Sequence, residues 1–243
     1  MITNDSEHSP VAIVTGASRG IGLAISKKLI SLGYLVKGVC KNPDRCEFTH
    51  PRFLLEKVNL NDTKQIEVWL ENFQDKNKVS VLVHNAGVGH FAPFEELSWG
   101  QITEMIGLHI TAPMLITNYF LRTLKANEGR VFFIGSISGT KVSPWGSVYG
   151  STKAGLIHFG RELFQELRKS GVKVTNLIPD LTNTDFFDHL SFTTDEDTRA
   201  YILPECIADA VGTVLAQREG TVLSELVIQP ERFKIKKKEK GKD

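Results

Sequence analysis

The sequence lacks most of the features that would reveal a function at sight. Its 243 residues include three cysteines, Cys40, Cys46 and Cys206, an odd number with no metal-like clustering. That pattern offers no zinc site, and no metal is expected; it fits free, mostly buried thiols in a reducing compartment. Charge of one sign is missing too. Lys plus Arg number 29 against 28 Asp plus Glu, so no global field recruits nucleic acid or an anionic membrane. No apolar run approaches the ~18 residues of a membrane span. The opening "MITNDSEHSP" has neither a basic start nor an apolar stretch. The expectation is a cytoplasmic globular protein without a nucleic-acid or membrane partner. No repeat, linker or low-complexity block divides it, so one domain is expected.

What is present is a rhythm. From Val11 onward, short β-branched runs alternate with stretches of helical period, and Gly, Pro, Asn or Asp marks each change. The runs fall at 11–15, 34–40, 53–60, 79–85, 130–136, 172–178 and 225–229. Seven strands with helices between them predict an α/β fold, a doubly wound, mostly parallel sheet covered on both faces. In "GIGLAISKKLISLG", Ile21, Ile25, Leu29 and Leu32 share one face, and Gly33 is placed to end the helix. Residues 98–126 have a helical pattern that Pro113 must bend or divide, near His109. The expected organisation is a flexible N-terminus over 1–10, a Rossmann-type domain over 11–230 and a basic tail over 231–243. The tail, "RFKIKKKEKGKD" from Arg232, reads as solvated and frayed.

Between the first strand and the first helix lies "TGASRGIG". Gly16 permits a tight exit from the strand, Gly20 lets backbone approach a pyrophosphate, and Gly22 lets the helix pack closely on the sheet. The helix N-terminus then presents free N–H groups to phosphates. Further on, "SVYGSTKAG" sets Tyr149 and Lys153 four residues apart, neighbours on one helical face. Ser136 stands thirteen residues before Tyr149.

The glycine spacing is similar to the T-G-x-x-x-G-x-G turn of the short-chain dehydrogenases/reductases. "HNAG" at 84–87 resembles that family's N-A-G motif, and Ser136, Tyr149 and Lys153 have its catalytic spacing. The resemblance runs from about Val11 to Gln229. It implies an NADP(H)-dependent oxidoreductase acting on a small carbonyl or secondary alcohol. Tyr149 would be the general acid/base, Lys153 the cation that lowers its pKa, and Ser136 the residue that holds the substrate oxygen. The cofactor would rest on Gly16, Ser18, Arg19, Gly20, Ile21 and Gly22. It would continue past Asn59 and Leu60, the turn Asn85, Ala86 and Gly87, the pair Tyr149 and Lys153, and then Pro179 and Thr184. Lys41 after the second strand, with Arg19, suits a 2′-phosphate, since no acid stands there for the ribose hydroxyls of NAD.

Departures from the family pattern are equally visible. Asp180 replaces a glycine in the P-G-x-V-x-T segment, and Asn59 stands where many members carry an Asp against the adenine. His109 occupies the place of the tetrad asparagine. Two readings of His109 stand: a proton-relay group titrating near ~6.5, or a neutral packing residue at the bend. Two readings also stand for Phe186, Phe187 and Leu190, either an apolar lid or core and subunit interface. The C-terminal "TVLSELVIQPERFK" looks more like the branch of sepiapterin reductases and small hydroxy-acid dehydrogenases than like acyl-carrier-protein reductases. The family commonly forms closed homodimers or homotetramers through its long helices, which is expected here too. A dinucleotide-binding regulatory protein with impaired catalysis is the alternative function.

Overall fold

The structure, a computed structural model, describes residues 9–238. Its strands are β1 (Val11–Thr15), β2 (Leu35–Cys40), β3 (Phe53–Lys57), β4 (Val79–His84), β5 (Arg130–Ile134), β6 (Lys173–Pro179), β7 (Phe192–Thr194), β8 (Glu225–Ile228) and β9 (Ile235–Lys237). Its helices are α1 (Gly20–Ser31), α2 (Thr63–Glu71), α3 (Trp99–Ile106), α4 (Ala112–Ala126), α5 (Ser147–Leu167) and α6 (Pro204–Leu215). Seven strands form one parallel sheet in the order β3-β2-β1-β4-β5-β6-β8. The winding direction reverses between β1 and β4. The crevice beyond their carboxyl ends is where such sheets bind ligands.

The near-continuous apolar strands are explained by cover on both faces. In β1, Val11 and Ile13 pack toward Ile66 of α2, Phe120 of α4 and Leu163 of α5. The alternate residues Ala12 and Val14 pack toward Ile25 and Leu29 of α1 and Val211 of α6. The α1 stripe ends earlier than its periodicity predicts, since Leu32 is 48% exposed. The helix does close on Gly33, at φ +94, with Gly33 N–H on Ile30 O and Tyr34 N–H on Leu29 O. The predicted break near His109 is a π-helical turn, Gly107–Thr111. Pro113 has no N–H to return to the carbonyl of His109 four residues before it, and Ala112 N–H reaches back five residues to Gly107 O.

One expectation is corrected. The basic tail is ordered through Lys238: β9 pairs antiparallel with β7, a two-stranded ribbon absent from the predicted strands. Each strand of the ribbon has only three residues, too few for periodicity to reveal. Its ends are tied by side chains, with Arg232 and Lys234 on Asp197 and Lys236 on Glu196. The expectations for residues 1–8 and 239–243 lie outside the described residues. The cysteines differ in environment: Cys40 is buried, Cys46 half-buried and Cys206 exposed. Among the described residues no helix is long and apolar enough to cross a membrane.

Candidate active site

A single cavity of about 980 Å³ opens over the carboxyl ends of β1, β4, β5 and β6. At one end the turn after β1 is fastened to the turn after β4 by the Thr15 and Asn85 side chains, which bond backbone groups. Thr15 Oγ1 accepts from Asn85 N–H and Ala86 N–H, both at 3.0 Å, and Asn85 Nδ2 donates to Thr15 O at 2.9 Å and Gly16 O at 3.1 Å. Gly16 lies at φ +67, and a Cβ there would come within 2.9 Å of Ala86 Cα; a Cβ on Gly22 would overlap Gly16 O. Glycine is therefore required at both positions for this approach. Arg19 makes no side-chain cap on α1, and the first turn holds no acid. The first N–H groups of α1 thus face the cavity without a competing carboxylate, an arrangement that fits a pyrophosphate.

The walls of this end carry Ser18, Arg19, Ile21, Lys41, Asn59 and Leu60, as predicted, and also Arg45. Arg45 was missed because it belongs to a short 3-10 turn, Pro43–Arg45, that reads as loop. Asp44 from the same turn lines a separate hollow. Arg19 also reaches Asp185 at 3.3 Å, with both side chains about half exposed. Asn59 is occupied in holding its own turn: its N–H donates to Gln65 Oε1 and its Oδ1 accepts from Asn61 N–H.

At the other end, Ser136, Tyr149 and Lys153 converge. Ser136 lies two residues beyond β5 and caps the 3-10 turn Ile137–Gly139, its Oγ accepting from Ser138 N–H at 3.2 Å. Ser136 and Tyr149 line the same wall of the cavity. Tyr149 is 7% exposed and Lys153 5% exposed. Lys153 Nζ donates to Ile134 O at 2.8 Å and lies 5.9 Å from the Tyr149 ring centroid. Burial pushes the Tyr149 phenol up to about 12, with the Ser136 side chain opposing, and pushes Lys153 down to about 8. This corrects the expectation that Lys153 lowers the tyrosine. In this site desolvation outweighs the distant ammonium, so the phenol holds its proton at neutral pH.

His109 is fully buried beside them. Thr152 Oγ1 donates to Tyr149 O and therefore accepts from His109 Nδ1–H at 2.8 Å, while His109 Nε2 accepts from Val88 N–H at 3.2 Å. Both ring nitrogens are engaged in the neutral form. Burial, with Lys153 nearby, holds the ring well below 6.5. Protonation would remove the acceptor that Val88 N–H needs. Of its two readings, the neutral packing residue fits the geometry.

Asp180, where the family has glycine, holds the chain past this point. Its Oδ1 accepts from Leu181 N–H at 2.8 Å and its Oδ2 from Gln229 Nε2 at 3.0 Å. Pro179 ends β6, and Thr184 Oγ1 caps the 3-10 turn Asp185–Phe187; both line the cavity. Phe186 faces the Tyr149 ring with centroids 5.9 Å apart, whereas Phe187 and Leu190 are buried. The lid reading therefore fits Phe186 alone. Phe91, unremarked in the sequence, packs tilted against Tyr149 at 5.0 Å and edge-on against Phe192 at 5.4 Å between ring centroids. Trp145 sits at φ +61 and is 62% exposed at the rim, its carbonyl tied to Ala92 N–H.

Comparison with known proteins agrees with this geometry. The family model described as short chain dehydrogenase matches residues 10–194, and the chain belongs to that oxidoreductase family. The 3-oxoacyl-acyl-carrier-protein reductase of Salmonella typhimurium is 31% identical over 210 residues, covering 83% of this chain and 84% of its own. A probable NADP-dependent dehydrogenase of Haemophilus influenzae is 30% identical over 233 residues, 90% of this chain and 92% of that one. Among solved structures, the alcohol dehydrogenase of Thermococcus sibiricus complexed with 5-hydroxy-NADP has a TM-score of 0.81 at 26% identity, covering 91% and 97% of the two chains. These relatives include an acyl-carrier-protein reductase, the branch from which the C-terminal sequence was read as departing. They establish the family and leave the branch open.

Proposed function

We propose that the protein is an NADP(H)-dependent carbonyl reductase or alcohol dehydrogenase for a small molecule, with Tyr149 as its proton donor. The observation that carries this reading is the convergence of Ser136, Tyr149 and Lys153 on the wall of the same cavity into which the glycine turn opens. Gly16, Ser18, Gly20, Gly22 and Asn85 to Gly87 would hold the dinucleotide, and Lys41 and Arg45 would supply the positive charge for its 2′-phosphate. The NADP named for the Thermococcus sibiricus and Haemophilus influenzae relatives supports that choice.

A bound nicotinamide supplies a hydride, two electrons delivered to the carbonyl carbon. The chain supplies the rest. Ser136 donates to the carbonyl oxygen and stabilises the charge that develops there. Tyr149 gives that oxygen its phenolic proton, and in alcohol oxidation the same group takes the proton back. Lys153, anchored on Ile134 O, keeps a cation beside the phenolate that is left. A phenol raised to about 12 is protonated at rest, which suits the reductive direction. His109 positions Thr152 and Val88 around this group without titrating.

We also propose a homodimer or homotetramer formed through α4 and α5, where Met114 and Leu115 are partly exposed. The test of function is a titration with NADPH and NADH, run beside turnover of ketones, aldehydes and quinones. Tighter NADPH binding with turnover supports the reading, and Lys41→Ala narrows the preference. Binding without turnover of any carbonyl favours a regulatory dinucleotide-binding protein instead.

A further inference from the structure

The substrate end of the cavity has a wall that no motif announced. Phe233 just before β9, Ile235 and Lys237 within it, and Lys238 after it line the cavity, while Lys234 and Lys236 pair with Asp197 and Glu196. Alternation with a period of two is the geometry of a strand with two distinct faces. One face is fastened by ion pairs to the segment before α6. The other looks into the site.

Lys237 is placed closely. It stands directly opposite Phe192 in the β7–β9 ribbon, and such partners lie on the same face. Phe192 meets Phe91, and Phe91 meets Tyr149, so Lys237 is joined to the proton donor through two rings. The other cations at this end are engaged: Lys153 on Ile134 O, and Lys238 on Phe187 O at 2.6 Å and Asp188 O at 2.9 Å. The acids lining the cavity are engaged too, Glu104 with His90, Asp180 with Gln229, and Asp185 with Arg19. Lys237 makes no hydrogen bond or ion pair with any described residue. Cation, rings and aliphatic side chain together form a wall for a molecule that is apolar in its body and anionic at one end.

We infer that the C-terminal strand is the substrate-recognition wall, and that Lys237 selects a carbonyl substrate carrying an anionic group, a carboxylate or a phosphate, beyond an apolar segment. The inference rests on the carbonyl reductase reading and names its substrate class. It is tested with NADPH and a ladder of oxo-carboxylates of graded chain length, their methyl esters, and matched oxo-alkyl phosphates. The wild type should favour an anionic member over the corresponding ester, and the better of carboxylate and phosphate identifies the natural group. Lys237→Ala should raise KM for that anion about tenfold, the scale of a lost charge-assisted hydrogen bond. It should leave kcat, the esters and NADPH affinity nearly unchanged, and Lys237→Arg should restore KM.

Equal use of acids and esters by the wild type would overturn the inference and leave the reductase reading standing. So would a Lys237→Ala effect confined to NADPH affinity. If nothing is turned over, binding of the anions to the protein with NADP+ decides. Binding that depends on Lys237 keeps the recognition wall and removes the catalytic reading, and no binding overturns both.

Discussion

The two ends of the cavity are built by different means. At the dinucleotide end, the glycine turn and the Asn85 turn approach closely and the Thr15 and Asn85 side chains bond their backbone groups, so the ligand's place is set by backbone position and by what a larger side chain would obstruct. At the substrate end, β7, β9 and the 3-10 turn Asp185–Phe187 are held by tilted and edge-on ring contacts and by surface ion pairs. Backbone geometry tolerates few sequences, so the first end is written as a motif. Rings and surface charges can be supplied by many sequences, so the second is not, and it is the end free to differ in substrate.

The largest effect expected from breaking this arrangement is at their junction. Tyr149→Phe removes only the hydroxyl, so turnover should fall by ~10² or more, the scale of lost general acid catalysis. NADPH affinity, read by titration, should stay near the wild-type value. Near-normal turnover by this variant would exclude the mechanism.

Gly22→Ala sharpens the contrast from the dinucleotide side. The added methyl would meet Gly16 O, and overpacking of this kind costs about 1–3 kcal/mol. Calorimetry should show a lower melting temperature together with weakened NADPH binding, while tail substitutions should leave both nearly unaltered. A fully stable Gly22→Ala protein with normal affinity would remove the close-approach account.

Sequence legibility follows the same division. All seven strands of the main sheet, the glycine turn, the Asn85 turn and the Ser136, Tyr149 and Lys153 constellation were readable, because each is either periodic or constrained by backbone. Gly33 was readable as the end of α1 for the same reason. What was not readable depended on distance or burial. The Tyr149 pKa was expected to fall because spacing puts a cation on its face, but spacing does not report that Lys153 is anchored on Ile134 O while the phenol is desolvated. Asn59 and His109 look available in the sequence but are occupied by Gln65, Asn61, Val88 and Thr152. The tail reads as a solvated charge run until its even and odd residues are seen to face different ways. The family model, which ends at residue 194, does not reach it.

Smaller effects test burial at the catalytic group. Burial holds Lys153 down at about 8, below its ordinary 10.5, so the unfolded chain binds more protons between these values and stability should rise with pH across that window. Tyr149, raised to about 12 from 10.0, has the opposite sign, and its contribution should be lost as pH rises through 12. Denaturant melts of Lys153→Met should lack the rise that the wild type shows between about pH 8 and 10. Matching curves would mean that the lysine is solvated. The smallest effect is expected of His109→Asn, whose pH profile of turnover should superimpose on the wild type because the ring stays neutral throughout. A shift of the acidic limb would return His109 to the proton relay.

The division between the two ends is tested most directly by removing the wall. A protein truncated after Arg232 loses Phe233, Ile235 and Lys237 from the cavity, along with the ion pairs to Asp197 and Glu196 that Lys234 and Lys236 make. NADPH dissociation constants and kcat/KM for the best carbonyl substrate would be measured side by side on the truncated and full-length chains. The expected result is an NADPH affinity within about twofold of the full chain, with kcat/KM lower by about tenfold or more through KM. Affinity for NADPH and kcat/KM falling together, or neither changing, would contradict a substrate wall built separately from the dinucleotide cradle.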